Sequence, residues 1–229
     1  SRAKIDRCMP NRSNTFVGAT RFSGEAMKEY PSIDRAPADG AVYGFPKYDG
    51  SNVRAEWTRK TGMAKFGSRT RLLGADERPL GEAIPLMKAH EAEAARLLRA
   101  ERVEKAVLYF EFFGDNSFAG VHVDEPHRVV LIDASFHPKG IVDPRDFIRV
   151  FEGSSIPTAP CIYRGNANSD FIRAVKQGML PGMTAEGVVC KQSRSKPSHP
   201  PVMFKLKSET WIERVRSLYT DPAKLKELL

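Results

Sequence analysis

Lys47 heads the run Lys47-Tyr48-Asp49-Gly50-Ser51-Asn52, and two more lysines lie far downstream in Phe204-Lys205-Leu206-Lys207. Between them come Tyr109-Phe110-Glu111-Phe112-Phe113-Gly114 and Glu186-Gly187-Val188-Val189-Cys190-Lys191. An ordinary lysine titrates at about 10.4 and is almost wholly protonated at neutral pH. Burial or neighbouring cations favour its neutral, nucleophilic form. Lys205 and Lys207 alternate in a strand-like run, so both ammonium groups point to one face. Where such a face meets Lys47, two positive charges disfavour a third and stabilise charge developing on an α-phosphate. The series therefore suits attack of Lys47 on ATP to give a lysyl-AMP phosphoramidate. Each piece alone is bland: Lys-x-Asp-Gly is a common polar turn, Lys-x-Lys a solvated strand face, and Glu-Gly a turn. Their joint order carries the reading.

These residues need strands to hold them. Runs rich in β-branched and aromatic residues predict strands over 41–48, 52–57, 106–113, 128–134, 187–191 and 202–207. The pattern over 82–105 predicts one helix, with Leu86, His90, Leu97 and Leu98 on its inner side. Asp143-Pro144 reads as an N-cap with proline at the first helical position, opening a helix that ends near Gly153. Ser169 is placed to cap a helix reaching Gly178, and Thr210 with Glu213 has capping-box spacing for a helix through Tyr219. Asp221-Pro222 starts a last short helix. A dense loop, Gln192 to Pro201, joins two of the strands.

The chain has 229 residues, 41% of them hydrophobic, enough for a sizeable core. The expected organisation is one domain over 1–229, with 208–229 a short helical extension. No run approaches the ~18 apolar residues of a membrane span, and Ser1-Arg2-Ala3-Lys4 is not followed by a signal-peptide apolar stretch. Cys8, Cys161 and Cys190 are odd in number and far apart, which fits a reduced, cytoplasmic setting and gives no zinc spacing. Net charge is +8, and from Val188 onward nine Lys/Arg face four Asp/Glu, a balance suited to a polyanionic partner. There is no Gly-x-x-x-x-Gly-Lys-Ser/Thr loop, and His90-Glu91 lacks the second histidine of a zincin.

Over about Tyr43 to Lys207 the chain resembles the covalent nucleotidyltransferases, which comprise DNA ligases, RNA ligases and mRNA capping enzymes. It is most similar to the RNA ligase 2-like family, and Lys-x-Asp-Gly-Ser-Asn is the most specific element. The resemblance implies an α+β fold of twisted antiparallel sheets flanked by helices, with the nucleotide between them. It makes Lys47 the adenylated lysine, with Asp49, Gly50 and Asn52 beside it. Glu111 binds the ribose, Glu186 places the metal, and Lys205 and Lys207 hold the phosphates. Arg69 corresponds to the family's arginine between the first and third motifs, with Arg71 its competitor.

DNA ligases and capping enzymes usually carry arginine where this chain has Asn52, although Arg54 lies two residues on. The 22 residues after Lys207 leave no room for an OB-fold domain. One departure stands out. The family's adenine-stacking aromatic precedes an Asp, and here Ile132 precedes Asp133; Phe136 is the nearby candidate, with Tyr48 and Phe66 as further aromatics. Lys191, Arg194 and Lys196 are candidates for gripping a strand. The implied cofactors are ATP and Mg²⁺, with Mn²⁺ an alternative. The implied partner is RNA or a nicked duplex containing RNA, sealed by a monomer inside the cell; a viral source fits this reading. Rival readings are a minimal DNA ligase, a guanylyltransferase, and a non-catalytic nucleotide or RNA-end binding module.

Overall fold

In the computed structural model, residues 27–34, 37–38, 40–115, 117–196, 199 and 201–229 are described. The readings made on Ser1 to Lys4 and on Cys8 lie outside them.

Two antiparallel sheets build the molecule. The first has the order β7-β1-β8-β9, from β1 (Ala41–Lys47), β7 (Tyr163–Asn166), β8 (Gly187–Lys191) and β9 (Met203–Lys207). The second has the order β3-β2-β4-β5-β6, from β2 (Ser51–Thr58), β3 (Gly62–Ser68), β4 (Lys105–Phe113), β5 (Arg128–Phe136) and β6 (Gly140–Ile141). Neither sheet closes into a barrel among the described residues. The main core includes Phe45 from the first sheet, Trp57, Leu108, Phe110 and Leu131 from the second, and Phe147 and Phe151 from a helix. Burying side chains of this size is the chief favourable contribution to holding the sheets together.

Pro46 in β1 is tolerated for a definite reason. The Gly44 carbonyl accepts from Ile162 N–H on the β7 side, and Pro46, two residues on, faces that same side after β7 has stopped pairing. Its missing N–H therefore removes no ladder bond.

The helices are α1 (Ala83–Lys88), α2 (Glu91–Ala100), α3 (Pro144–Phe151), α4 (Ser169–Lys176), α5 (Glu209–Leu218) and α6 (Pro222–Leu228). The single helix expected over 82–105 is two helices, and Lys105 already belongs to β4. Chain reversal after α2 falls on Arg102, whose φ is 56°, while Val103 N–H bonds back to the Leu98 carbonyl at 2.9 Å. This is the turn that glycine usually makes, so no glycine marks it in the sequence. Asp143 and Asp221 cap α3 and α6 as expected. The caps of α4 and α5 are Asn168 and Ser208 rather than Ser169 and Thr210, because Asn168 and Ser208 have the extended backbone a cap needs. Among the described residues no helix is long and apolar enough to cross a membrane.

Candidate active site

Strand register decides which side chains meet. In the first sheet, Lys47, Gly187 and Lys207 lie side by side across β1, β8 and β9, and Phe45, Val189 and Lys205 form the next row on the same face. In the second sheet Asn52 of β2 pairs with Glu111 of β4. A cavity of about 510 Å³ opens between these rows; Phe45, Lys47, Asn52, Glu111, Ile132 and Lys205 are among its walls.

Lys47 and Lys207 share one carboxylate. Glu186 Oε1 lies 2.8 Å from Lys47 Nζ and 3.2 Å from Lys207 Nζ, and Glu186 is buried. Burial opposes the Lys47 charge, but Glu186 and then Glu111 outweigh it, and its pKa is raised. The expectation that cationic neighbours lower Lys47 is thus reversed. A carboxylate sits between the lysines, a position that residue spacing does not reveal. Lys207 is the lysine pushed down, to about 8, by burial first, with Lys47 and Lys205 adding to it against Glu186. Its ammonium also lies 4.2 Å from the centre of the Trp211 ring and donates to the Leu228 carbonyl of α6.

Asp49 does not face the cavity. Its buried carboxylate accepts from the backbone N–H groups of Phe118 at 3.2 Å and Ala119 at 2.8 Å. It therefore ties the loop after β4 to the nucleophile's turn, and Phe118 from that loop lines the cavity. Burial raises the Asp49 pKa despite those donors. Gly50 presses on β4: a β-carbon there would run into the Phe112 carbonyl and the Phe113 side chain. Gly187 has φ of 143°, and a β-carbon would meet the Leu206 carbonyl. Gly50 thus lets the turn after Lys47 close on β4, and Gly187 lets the segment carrying Glu186 approach β9 and Lys207. The amide of Asn52 is buried with neither its N nor its O partnered. Such a group normally finds a hydrogen bond, and here the cavity is where one is open to it. Beside it, Glu111 is pushed up to about 8, by burial first, with Glu186 and Asp49 adding to it and Lys47 opposing.

Ile132 reaches the cavity through a β-bulge. Tyr109 pairs with Asp133 and Phe110 with Leu131, leaving Ile132 as the extra residue of β5. Beneath it lies Lys191, fully buried, donating to the Ile132 carbonyl at 2.7 Å and to Asp133 at 2.8 Å. Its ammonium sits between the Phe45 and Phe147 rings, 4.9 and 5.2 Å from their centres. Tyr30 completes the group with a 3.1 Å bond to Asp133.

Lys191 is therefore no surface grip, a correction to its expected role. Its parity with Gly187 and Val189 along β8 was the signal available. Phe136 is likewise displaced from its expected place. It pairs with Gly140 at the far end of β5 and lines other cavities, leaving Ile132 as the β5 side chain toward this cavity. Arg69 follows β3 and borders the cavity, 3.5 Å from the Ser32 hydroxyl, whereas Arg71 is engaged by Glu77. Arg54 is buried against the Met27 carbonyl, and Phe66 packs in the core. Tyr48 lines the cavity while stacking on Phe113 at 5.0 Å. Glu227 of α6 also borders it, a contribution that sequence spacing gave no sign of.

No group of three His, Cys, Asp or Glu side chains among the described residues forms a metal cage. Glu186 offers an oxygen donor of the kind a hard cation takes, most of whose ligands are commonly water and phosphate oxygens.

A sequence profile described as RNA ligase matches residues 41–207, from the first strand of the fold to Lys207. The chain belongs to the RNA ligase family. No curated protein matches. Among solved structures, Naegleria gruberi RNA ligase with PPi is 17% identical with a TM-score of 0.59, covering 87% of this chain and 63% of that one. A variant of the same ligase with ATP and Mn is 16% identical with a TM-score of 0.58, covering 86% and 62%. Another, with AMP and Mn, is 15% identical with a TM-score of 0.58, covering 84% and 61%. At such identity the likeness is one of fold. The chain spans less than two thirds of the length of these ligases.

Proposed function

We propose that this family member is an ATP-dependent RNA ligase that works through lysyl-AMP. The observation that carries the reading is the Lys47–Glu186–Lys207 bridge at the end of a cavity whose opposite wall holds the unpartnered Asn52 amide. When Glu186 is engaged elsewhere, the carboxylate no longer holds the Lys47 proton. Lys207 then acts on Lys47 as a like charge and favours its neutral amine. The Lys47 lone pair forms a P–N bond to the α-phosphorus, and the bond to the β-phosphate oxygen breaks with release of pyrophosphate. Lys205 and Lys207 stand in line to stabilise the charge that develops. Glu111 and Asn52 hold the nucleoside. Mg²⁺, when bound, supplies charge neutralisation on the phosphates, with Mn²⁺ its substitute.

In the second step, an oxygen of the RNA 5′-phosphate takes the AMP, the P–N bond breaks, and Lys47 regains a proton. In the third, a 3′-hydroxyl attacks the activated 5′-phosphorus, loses its proton and expels AMP. Asn52 in place of arginine supports RNA over DNA as substrate.

Intact mass after incubation with ATP and Mg²⁺ is the test. The expected result is a gain of one AMP in the wild type and none in Lys47→Ala. No gain in wild-type protein free of AMP at the start would sink the ligase reading. Equal sealing of nicks with RNA or DNA on the 3′-hydroxyl side would undo the RNA assignment.

A further inference from the structure

A second concavity, of about 500 Å³, lies where β5, β6, α3 and the loop after β8 come together. Its walls carry six Lys or Arg against three carboxylates. The cations come from four separated segments: Arg102 after α2, Lys139 in the β5–β6 turn, Arg145 and Arg149 on α3, and Arg194 and Lys196 on the loop. His137 adds a further donor.

The concavity is built by specific bonds. Asp143, the cap of α3, accepts from Arg194 N–H at 2.8 Å and from the Ser193 hydroxyl at 3.2 Å, which fastens the loop to the helix start. Arg194 also donates to the Lys139 carbonyl at 3.2 Å, tying the loop to the β5–β6 turn. Burial opposes ionisation of Asp143, but the N–H groups of Arg194 and Arg145 outweigh it and hold the carboxyl below its ordinary range.

The carboxylates are already committed. Asp143 is used in fastening and in its contact with Arg145, and Glu101 and Asp146 pair with Arg149. The excess positive charge is thus concentrated on Arg102, Lys139 and Lys196, all three exposed. Cations gathered from distant segments repel one another, and a bound polyanion relieves that repulsion.

Position selects the anion. Ile132 lines the catalytic cavity and Phe136, four residues along the same strand, lines this one. At about 3.3 Å per residue the separation is about 13 Å, within reach of a few nucleotides of one strand. We propose that this concavity binds the phosphodiester backbone of the RNA strand a few nucleotides from the reacting end. The proposal rests on the ligase reading for the location of that end.

Fluorescence anisotropy with 5′-phosphorylated RNA of two lengths, about two and about fifteen nucleotides, is the test. Inorganic pyrophosphate is used as a competitor. The variant is Arg102→Asn with Lys139→Glu; asparagine tolerates the positive φ at position 102. The expected result is about tenfold weaker binding of the long RNA and a salt slope smaller by about 1.4, with the short RNA unchanged. Lys139→Ser alone, an exposed single change, should move the long RNA in the same direction by less and guards against misfolding. Unchanged affinity and slope for the long RNA would overturn the proposal. So would equal losses for short RNA and pyrophosphate, which would mark a site for small anions. AMP gain by intact mass in the same samples separates the two readings. Its retention in the variant with weakened long-RNA binding supports the backbone site, whereas its absence from the wild type fails the ligase reading.

Discussion

The two walls of the catalytic cavity are in opposite states. On the first sheet, Lys47, Glu186 and Lys207 satisfy one another in a closed ionic bridge. On the second, the Asn52 amide has no partner and Glu111 is pushed up to about 8. One wall has to be opened by a ligand and the other is left for a ligand to complete. On the proposed function, nucleotide binding exchanges one set of charge contacts for another, and the Lys47 proton is held until that exchange.

The largest effect is expected from breaking the closed wall. Glu186→Gln leaves two buried or half-buried ammonium groups without their carboxylate, at a cost of about 3 to 5 kcal/mol. Urea unfolding at neutral pH reads this directly. The loss should shrink as pH rises through about 8, where Lys207 sheds its charge. A loss independent of pH would mean that the bridge is not what holds this wall.

Changes on the open wall should separate binding from stability. Asn52→Ala removes an amide that makes no bond in the empty protein, so the unfolding midpoint should stay level or rise slightly. ATP affinity, measured by calorimetry on the Lys47→Ala background, should fall about tenfold. A large stability loss with unchanged affinity would make Asn52 a structural residue and remove the contrast between the walls.

The effect with the strongest pH dependence concerns Glu111. Its ordinary pKa of 4.5 rises to about 8 in the fold. Between those values the folded chain keeps a proton that the unfolded chain has shed, so stability falls as pH climbs through that window. Glu111→Gln should flatten this slope when urea midpoints are compared at the two ends of the window. Equal slopes in both proteins would place the carboxyl in solvent.

Much of this was legible in the residues. Lys47, Glu111, Lys205 and Lys207 sit on strands, with Glu186 just before one, because alternation and β-branched content mark those strands, and strand parity places side chains on a face. Parity says nothing of what stands between two faces, so the carboxylate separating Lys47 from Lys207 was hidden and the direction of the Lys47 shift was misread. Ile132 and Lys191 depend on a bulge and on depth of burial, neither of which leaves a local signature. β3 escaped notice because glycine at Gly62 and Gly67 reads as turn. The single helix over 82–105 ran too far because Arg102 makes a reversal that glycine normally announces.

Gly50 and Gly187 bear on how such a chain diversifies. At each, any side chain collides with backbone before chemistry is tested, so variation is filtered there by assembly rather than by activity. Heritable change in nucleotide or strand choice is thereby channelled to positions that the cavity exposes without such crowding. Ile132, lifted into the cavity by its bulge, is one of these, and it already departs from the family's aromatic. A substitution at either glycine is thus read out in folding, whereas one at Ile132 is read out in what the cavity accepts.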